Sequence, residues 1–154
     1  MASRGSDLEK RVNKANTLYK KEKSALIMKV AVPILYTRKG MVATSSTVDY
    51  TGVLNGGRFL AMDAKETQSK TSFALKNIHQ HQLTYLQYVR DLGGIAFFLI
   101  HFKKVHSDKA YIVPIEKVEE YQVEGMRKSI PIKEFLPEWL VDIDNYLENI
   151  QPKQ

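Results

Sequence analysis

Apolar positions along the chain change between helical and strand periods several times, and the changes mark out the elements. Leu8, Val12, Ala15 and Tyr19 recur at the spacing of one helix face. Ser6-Asp7-Leu8-Glu9 has the form of a capping box, so a first helix is predicted from Ser6 to Lys23. Ala25–Val32 is a mostly apolar run that stops at Pro33 and reads as a buried strand. Val42–Gly52 opens with small polar residues and becomes rich in Thr, Val and Tyr, which predicts a strand over its later half. Asn55-Gly56-Gly57 is a strong hairpin turn because its residues accept positive φ at little cost; Arg58–Lys65 should then return antiparallel.

Beyond a polar loop at Glu66–Thr71, Asn77 can cap a second helix running to Leu92, with Ile78, Gln82, Tyr85, Leu86 and Val89 on one face. Gly93-Gly94 ends it. Ile95–Phe102 is the most apolar segment and should be a central strand. After a charged turn at Lys103–Lys109, Ala110–Val113 forms the next strand, a short helix starts at Ile115, and a linker surrounds Gly125. Glu138–Ile150 is expected as an acidic helix with Trp139, Ile143, Tyr146 and Leu147 as its apolar side. Tyr85, Tyr88, Phe97 and Phe98 are expected in the core. The order predicts one α/β domain over residues 1–154, a central mixed β-sheet flanked by helices.

Composition narrows the chemistry. The chain of 154 residues has no cysteine, which rules out disulfides and thiolate zinc sites. No apolar run approaches the roughly 20 residues needed to cross a bilayer, and the N-terminus lacks the apolar stretch of a secretory signal. The expectation is a cytoplasmic protein without membrane contact. The net charge of +6 divides unevenly: +7 over residues 1–48, +3 over 49–110 and −4 over 111–154. A basic first third suits a polyanion such as nucleic acid, although a solvated basic surface accounts for it equally well. On the first reading, the basic third faces DNA and the acidic tail lies away from it.

Strand alternation puts Asp63 and Lys65 on one face and Met62 and Ala64 on the other. Asp49 lies across the hairpin, within reach of Asp63. Two carboxylates and a lysine converging at a sheet edge suit a hard cation such as Mg²⁺, which prefers oxygen ligands and keeps several waters. Phosphodiester hydrolysis uses that arrangement, with the lysine holding the attacking water or stabilising the pentacovalent phosphate. The bland alternative is a pair of solvated ion pairs, each worth under about 1 kcal/mol.

The surrounding residues favour the nuclease reading. Ser46-Thr47-Val48-Asp49-Tyr50-Thr51-Gly52, Asp63-Ala64-Lys65-Glu66-Thr67, Lys70-Thr71-Ser72-Phe73-Ala74-Leu75-Lys76-Asn77 and His79-Gln80-His81-Gln82 closely resemble the RecU Holliday-junction resolvases of the PD-(D/E)xK nuclease superfamily. Arg4-Gly5-x-x-Leu8-Glu9, Gly93-Gly94-Ile95 and Arg127-Lys128-Ser129-Ile130 match the family in the same order. The resemblance implies a restriction-endonuclease-like core and a homodimer that cuts four-way DNA junctions symmetrically. It also implies Mg²⁺ as cofactor, with Mn²⁺ as substitute, and 5′-phosphate ends. The family's metal ligands fall on Thr47, Asp49, Asp63 and Gln82, and its transition-state lysine on Lys65.

The middle acid, usually Glu in the family, is Asp63 here. The basic N-terminal extension of bacterial members is absent and the segment between the first two strands is short, which suggests a compact, phage-encoded version. Glu9 is either the capping partner of Ser6 or an accessory acid facing the metal. Candidate DNA contacts are Arg38, Lys39, Lys70, Lys76, Arg127 and Lys128. In the family the region matching Tyr36–Met41 enters the junction centre; here it could also be an ordinary hairpin tip. Two rivals remain open: a same-fold nuclease acting on flaps or damaged duplex, and a non-catalytic DNA-binding partner of recombinase proteins.

Overall fold

A computed structural model describes residues 6–32, 34–43, 47–123 and 127–150. Helix α1 (Asp7–Glu22) starts at Ser6, whose Oγ accepts the Glu9 N–H at 3.2 Å, and ends at Lys23 in the left-handed region (φ 59°). Then follow β1 (Ala25–Lys29), β2 (Ile34–Thr37), β3 (Gly40–Ala43), β4 (Tyr50–Leu54), β5 (Phe59–Thr67) and β6 (Ser72–Ala74). Helix α2 (Gln80–Asp91) leads to β7 (Ile95–Phe102) and β8 (Lys109–Pro114). The chain closes with α3 (Ile115–Val123), β9 (Ser129–Pro131) and β10 (Leu140–Asp142).

Six strands make the central sheet, in the order β1-β4-β5-β7-β8-β10. The β5–β7 pair is parallel and the other four neighbouring pairs are antiparallel, so the sheet is mixed and its parallel step needs the α2 crossover. The β4–β5 hairpin turns where expected, with Gly56 and Gly57 both at positive φ. One face of the sheet packs on α1 through Leu8, Val12, Leu60, Met62, Leu99 and Leu147. The other packs under α2 and α3 through Ala61, Leu83, Leu86, Phe98, Val113 and Val118. Ile95–Phe102 is central, and Phe98, Leu99, Ile100 and Phe102 are fully buried, each stabilising by about 2 kcal/mol.

Several boundaries differ from the sequence expectation. β1 stops at Lys29 rather than Val32, and Tyr36–Met41 lies within a β2–β3 hairpin whose turn is Arg38-Lys39. β5 runs on to Thr67 because it pairs with β7 as far as Phe102. A 3₁₀ turn at Leu75–Asn77 displaces the start of α2, so His79, not Asn77, is its N-cap. Tyr88 is 65% exposed rather than core.

The tail is not a helix. It forms a 3₁₀ turn (Pro137–Trp139), β10 and a second 3₁₀ turn (Ile143–Asn145). Buried Val141 and Ile143 alternate with exposed Asp142 and Asp144, a period of two that β-branched residues reinforce. Ile143, Tyr146 and Leu147 are buried as expected, against α1. Tyr19 Oη donates to Asn145 Oδ1 at 2.8 Å, and Arg11 pairs with Asp144 at 3.3 Å. The acidic tail therefore lies against the basic first helix, because that helix needs a partner for its outer buried edge. The expected linker at Gly125 lies outside the described residues, as do Arg4, Gly5 and Ser46.

Candidate active site

β5 carries the centre of the site. Leu60 and Met62 point into the α1 core, so alternation turns Asp63 and Lys65 to the α2 side. Asp49 occupies the bend just before β4, where Tyr50 pairs with Met62. Two backbone donors tie these segments together. The Asp49 N–H donates to Asp63 Oδ1 at 2.9 Å, and the Ala64 N–H donates to Asp49 Oδ2 at 2.9 Å. Neither donor could be read from side-chain types, which is why sequence reasoning missed them.

Asp63 is fully buried, and Lys65 Nζ stands 3.0 Å from its Oδ2. Among the described residues Oδ2 nevertheless makes no hydrogen bond, so it is buried with a cation beside it but no aligned donor. A buried carboxylate oxygen without a donor is costly unless something else occupies its lone pairs. Asp49 is pushed up to about 6, chiefly by burial and then by the negative charge of Asp63. Two hard oxygen donors, one of them unsatisfied, fit a hard divalent cation that keeps most of its own waters. Among the described residues no three His, Cys, Asp or Glu side chains converge on one point.

The remaining candidates take distinct places. Thr47 is exposed at the start of the bend that carries Asp49. Gln82 is buried in the first turn of α2, and its Oε1 accepts the His79 N–H at 3.2 Å, closing the helix start. The Glu9 carboxylate does not complete the capping box; it reaches Lys29 Nζ at 2.6 Å. The Tyr50 hydroxyl donates to Asn13 Oδ1 at 2.8 Å, so the strand leading from Asp49 is pinned to the helix that carries Glu9.

The sequence model of recombination protein U, RecU, matches residues 3–151. The chain belongs to the RecU family. A Holliday junction resolvase RecU of Staphylococcus epidermidis is 36% identical over 146 residues, covering 85% of this chain and 69% of its own. Those of Oenococcus oeni (37%; 84% and 72% covered) and Leuconostoc citreum (32%; 96% and 83%) are similar. Among solved structures, the Holliday junction resolvase Hjc of Archaeoglobus fulgidus aligns over 89% of this chain and 90% of its own, at 14% identity and a TM-score of 0.44.

In this RecU chain the structure also groups cations that are distant in sequence. β6 pairs with β9, Phe73 opposite Ile130, and the Leu75 N–H donates to the Lys128 carbonyl at 2.9 Å. Lys76 therefore lies beside Arg127 and Lys128 at one end of a two-stranded ribbon, with Lys70 before its other end. Arg127 also lies over the Tyr121 ring at 5.0 Å and 3.8 Å from Glu134. Arg38 and Lys39 stand apart from this group, exposed at the β2–β3 tip. Among the described residues no helix is long and apolar enough to cross a membrane.

Proposed function

We propose that the chain is a metal-dependent endonuclease that resolves four-way DNA junctions. The single observation that carries this reading is the interlocked pair of Asp49 and Asp63 beside Lys65. Asp49, Asp63 and the exposed Thr47 would hold Mg²⁺, or Mn²⁺ in its place, with Gln82 orienting a bound water. Such a cation supplies charge neutralisation at the phosphate and a water of lowered pKa. Lys65, fixed by Asp63, stabilises the charge that builds on the phosphate as the bond to the 3′ oxygen breaks. The products are a 5′-phosphate and a 3′-hydroxyl. Glu9 is an accessory acid, held in place by Lys29.

Paired cuts across a junction need two sites related by a two-fold axis, so the acting form is a homodimer. Val53 and Phe59 support this: they are cross-strand neighbours, both exposed, in one apolar row on the α2 side of the sheet, near exposed Tyr88 and Leu92. The ribbon cations Lys70, Lys76, Arg127 and Lys128 contact DNA backbone, and Arg38 and Lys39 enter the junction. Recombinase proteins are further partners, and the place of action is the cytoplasm.

The deciding experiment is a gel assay with four-way, flap and linear duplex DNA, with and without Mg²⁺. Symmetric cleavage confined to the four-way substrate and to Mg²⁺ is expected. Cleavage of the flap alone, or cation-independent binding without cleavage, would replace this reading.

A further inference from the structure

β1 is an edge strand: it pairs with β4 on one side and with no described strand on the other. The Asn55 N–H donates to the Ser24 carbonyl and the Val30 N–H to the Asp49 carbonyl. In an antiparallel pair the bonded residues alternate, so 24, 26, 28 and 30 face β4. Ala25, Ile27 and Lys29 therefore aim their N–H and C=O groups outward.

Two clefts of about 360 and 330 Å³ run along this edge and share Lys20 and Leu26. The α1 side of the trough is polar and basic, formed by Asn13, Thr17, Lys20 and Lys23. Among the described residues neither Lys20 nor Lys23 has an acidic partner, while Lys29, the charge carried by the strand itself, is tied to Glu9 at 2.6 Å. On the opposite face Leu26 and Met28 are 41% and 62% exposed. Free edges are usually blunted by charge or proline within the strand. Among the described residues this one keeps its main-chain groups open, with a basic wall on one side and an apolar one on the other.

We propose that the free edge of β1 accepts an extended segment of another protein as an added strand, with acidic residues toward Lys20 and Lys23 alternating with apolar residues beside Leu26 and Met28. Main-chain bonds to Ala25, Ile27 and Lys29 supply the affinity, and the two walls supply the code. The trough opens toward α1 at the sheet edge, while Asp63 and Lys65 project on the α2 side, so the docked strand leaves those two side chains uncovered.

The test uses the full isotope-labelled chain and a short acetylated peptide of alternating Asp and Val. Amide exchange at Ile27 and Lys29 is expected to slow about tenfold, with Leu26 and Met28 unchanged because they already bond to β4. Methylating alternate amide nitrogens of the peptide should abolish the effect, and Lys20→Glu with Lys23→Glu should weaken binding about tenfold. The proposal is overturned by unchanged exchange, or by equal binding of the methylated peptide or of a Lys–Val peptide. It is equally overturned if Ile27 and Lys29 are protected in the chain alone as concentration rises, which would place a second copy on the edge. Protection by linear duplex DNA would assign the edge to nucleic acid instead.

Discussion

Asp49 and Asp63 hold each other through the backbone: the main-chain N–H of Asp49 caps Asp63 Oδ1 at 2.9 Å, while the carboxylate of Asp49 accepts from Ala64, the residue after Asp63. Each acid thereby fixes the strand that carries the other. Two like charges held this close repel, which helps to raise the Asp49 carboxyl, and Lys65, 3.0 Å from Asp63, offsets part of that repulsion at both acids.

Asp49→Asn and Asp63→Asn keep side-chain shape and remove charge. Each should lower Mg²⁺-dependent cleavage of a four-way junction by about 1000-fold, since a cation ligand is removed. Binding of the junction should stay equal or tighten, because an acid that repels phosphate is gone. Near-normal cleavage by either variant in the gel assay would remove the pair from the active site.

Lys65→Ala should slow cleavage at least about 100-fold by loss of electrostatic stabilisation. It also leaves Asp63 buried with no cation beside it, so denaturant melts in the absence of Mg²⁺ should show a loss of about 3 kcal/mol. A stability loss without the rate loss would make Lys65 a structural partner only.

The raised Asp49 fixes the sign of a pH dependence. Its carboxyl titrates near 6 in the fold, above its ordinary range, so burial favours the protonated form. Without a divalent cation, its contribution to stability is complete below about 4 and is lost as the pH rises through about 6. Thermal melts in chelator should show this fall in the native chain and not in Asp49→Asn. The Mg²⁺ concentration giving half-maximal cleavage should rise about tenfold per pH unit below about 6, because the cation must displace a proton.

Arg38→Ala with Lys39→Ala tests the exposed hairpin tip. If the tip enters the junction, affinity for four-way DNA should fall much more than affinity for linear duplex. The slope of log affinity against log salt should shrink by about 0.9 for each phosphate no longer neutralised. Equal, small losses on both substrates would make it a surface turn.

Gly52 sits opposite Ile27 in the β1–β4 pair. A Cβ there would lie 2.1 Å from the Leu26 carbonyl oxygen and 2.6 Å from the Ile27 Cα, both backbone atoms that cannot step aside. Gly52→Ala should destabilise the chain by about 3 kcal/mol in urea melts, with exchange at β1 amides rising first.

Much of the arrangement was legible in the sequence because it rests on local patterns. The capping serine, the Asn-Gly-Gly turn, the apolar run of β7 and the shared face of Asp63 and Lys65 all follow from residues close together in the chain. What escaped depends on distant partners. β5 extends to Thr67 because β7 lies beside it, and β6 exists because residue 130 comes back to residue 73. In the tail, apolar residues at 139, 143, 146 and 147 mimic a helix face, but Leu140–Asp142 pairs with β8 and Ile143 begins a 3₁₀ turn. That Asp49 and Asp63 come together was visible, whereas the backbone donors that align them have no side-chain signature.

The β6–β9 ribbon has a consequence for the order in which the molecule is assembled. The β4–β5 hairpin that brings Asp49 to Asp63 closes over a few residues and can form early. The ribbon joins segments separated by α2, β7, β8 and α3, so it closes at a greater cost in chain entropy than the hairpin does. Lys76 and Lys128 meet only when it closes. On the proposed reading, joining Asp49 to Asp63 needs only a local turn, whereas grouping the ribbon cations Lys76 and Lys128 needs the completed fold, so that part of the proposed DNA contact is a property of the finished molecule.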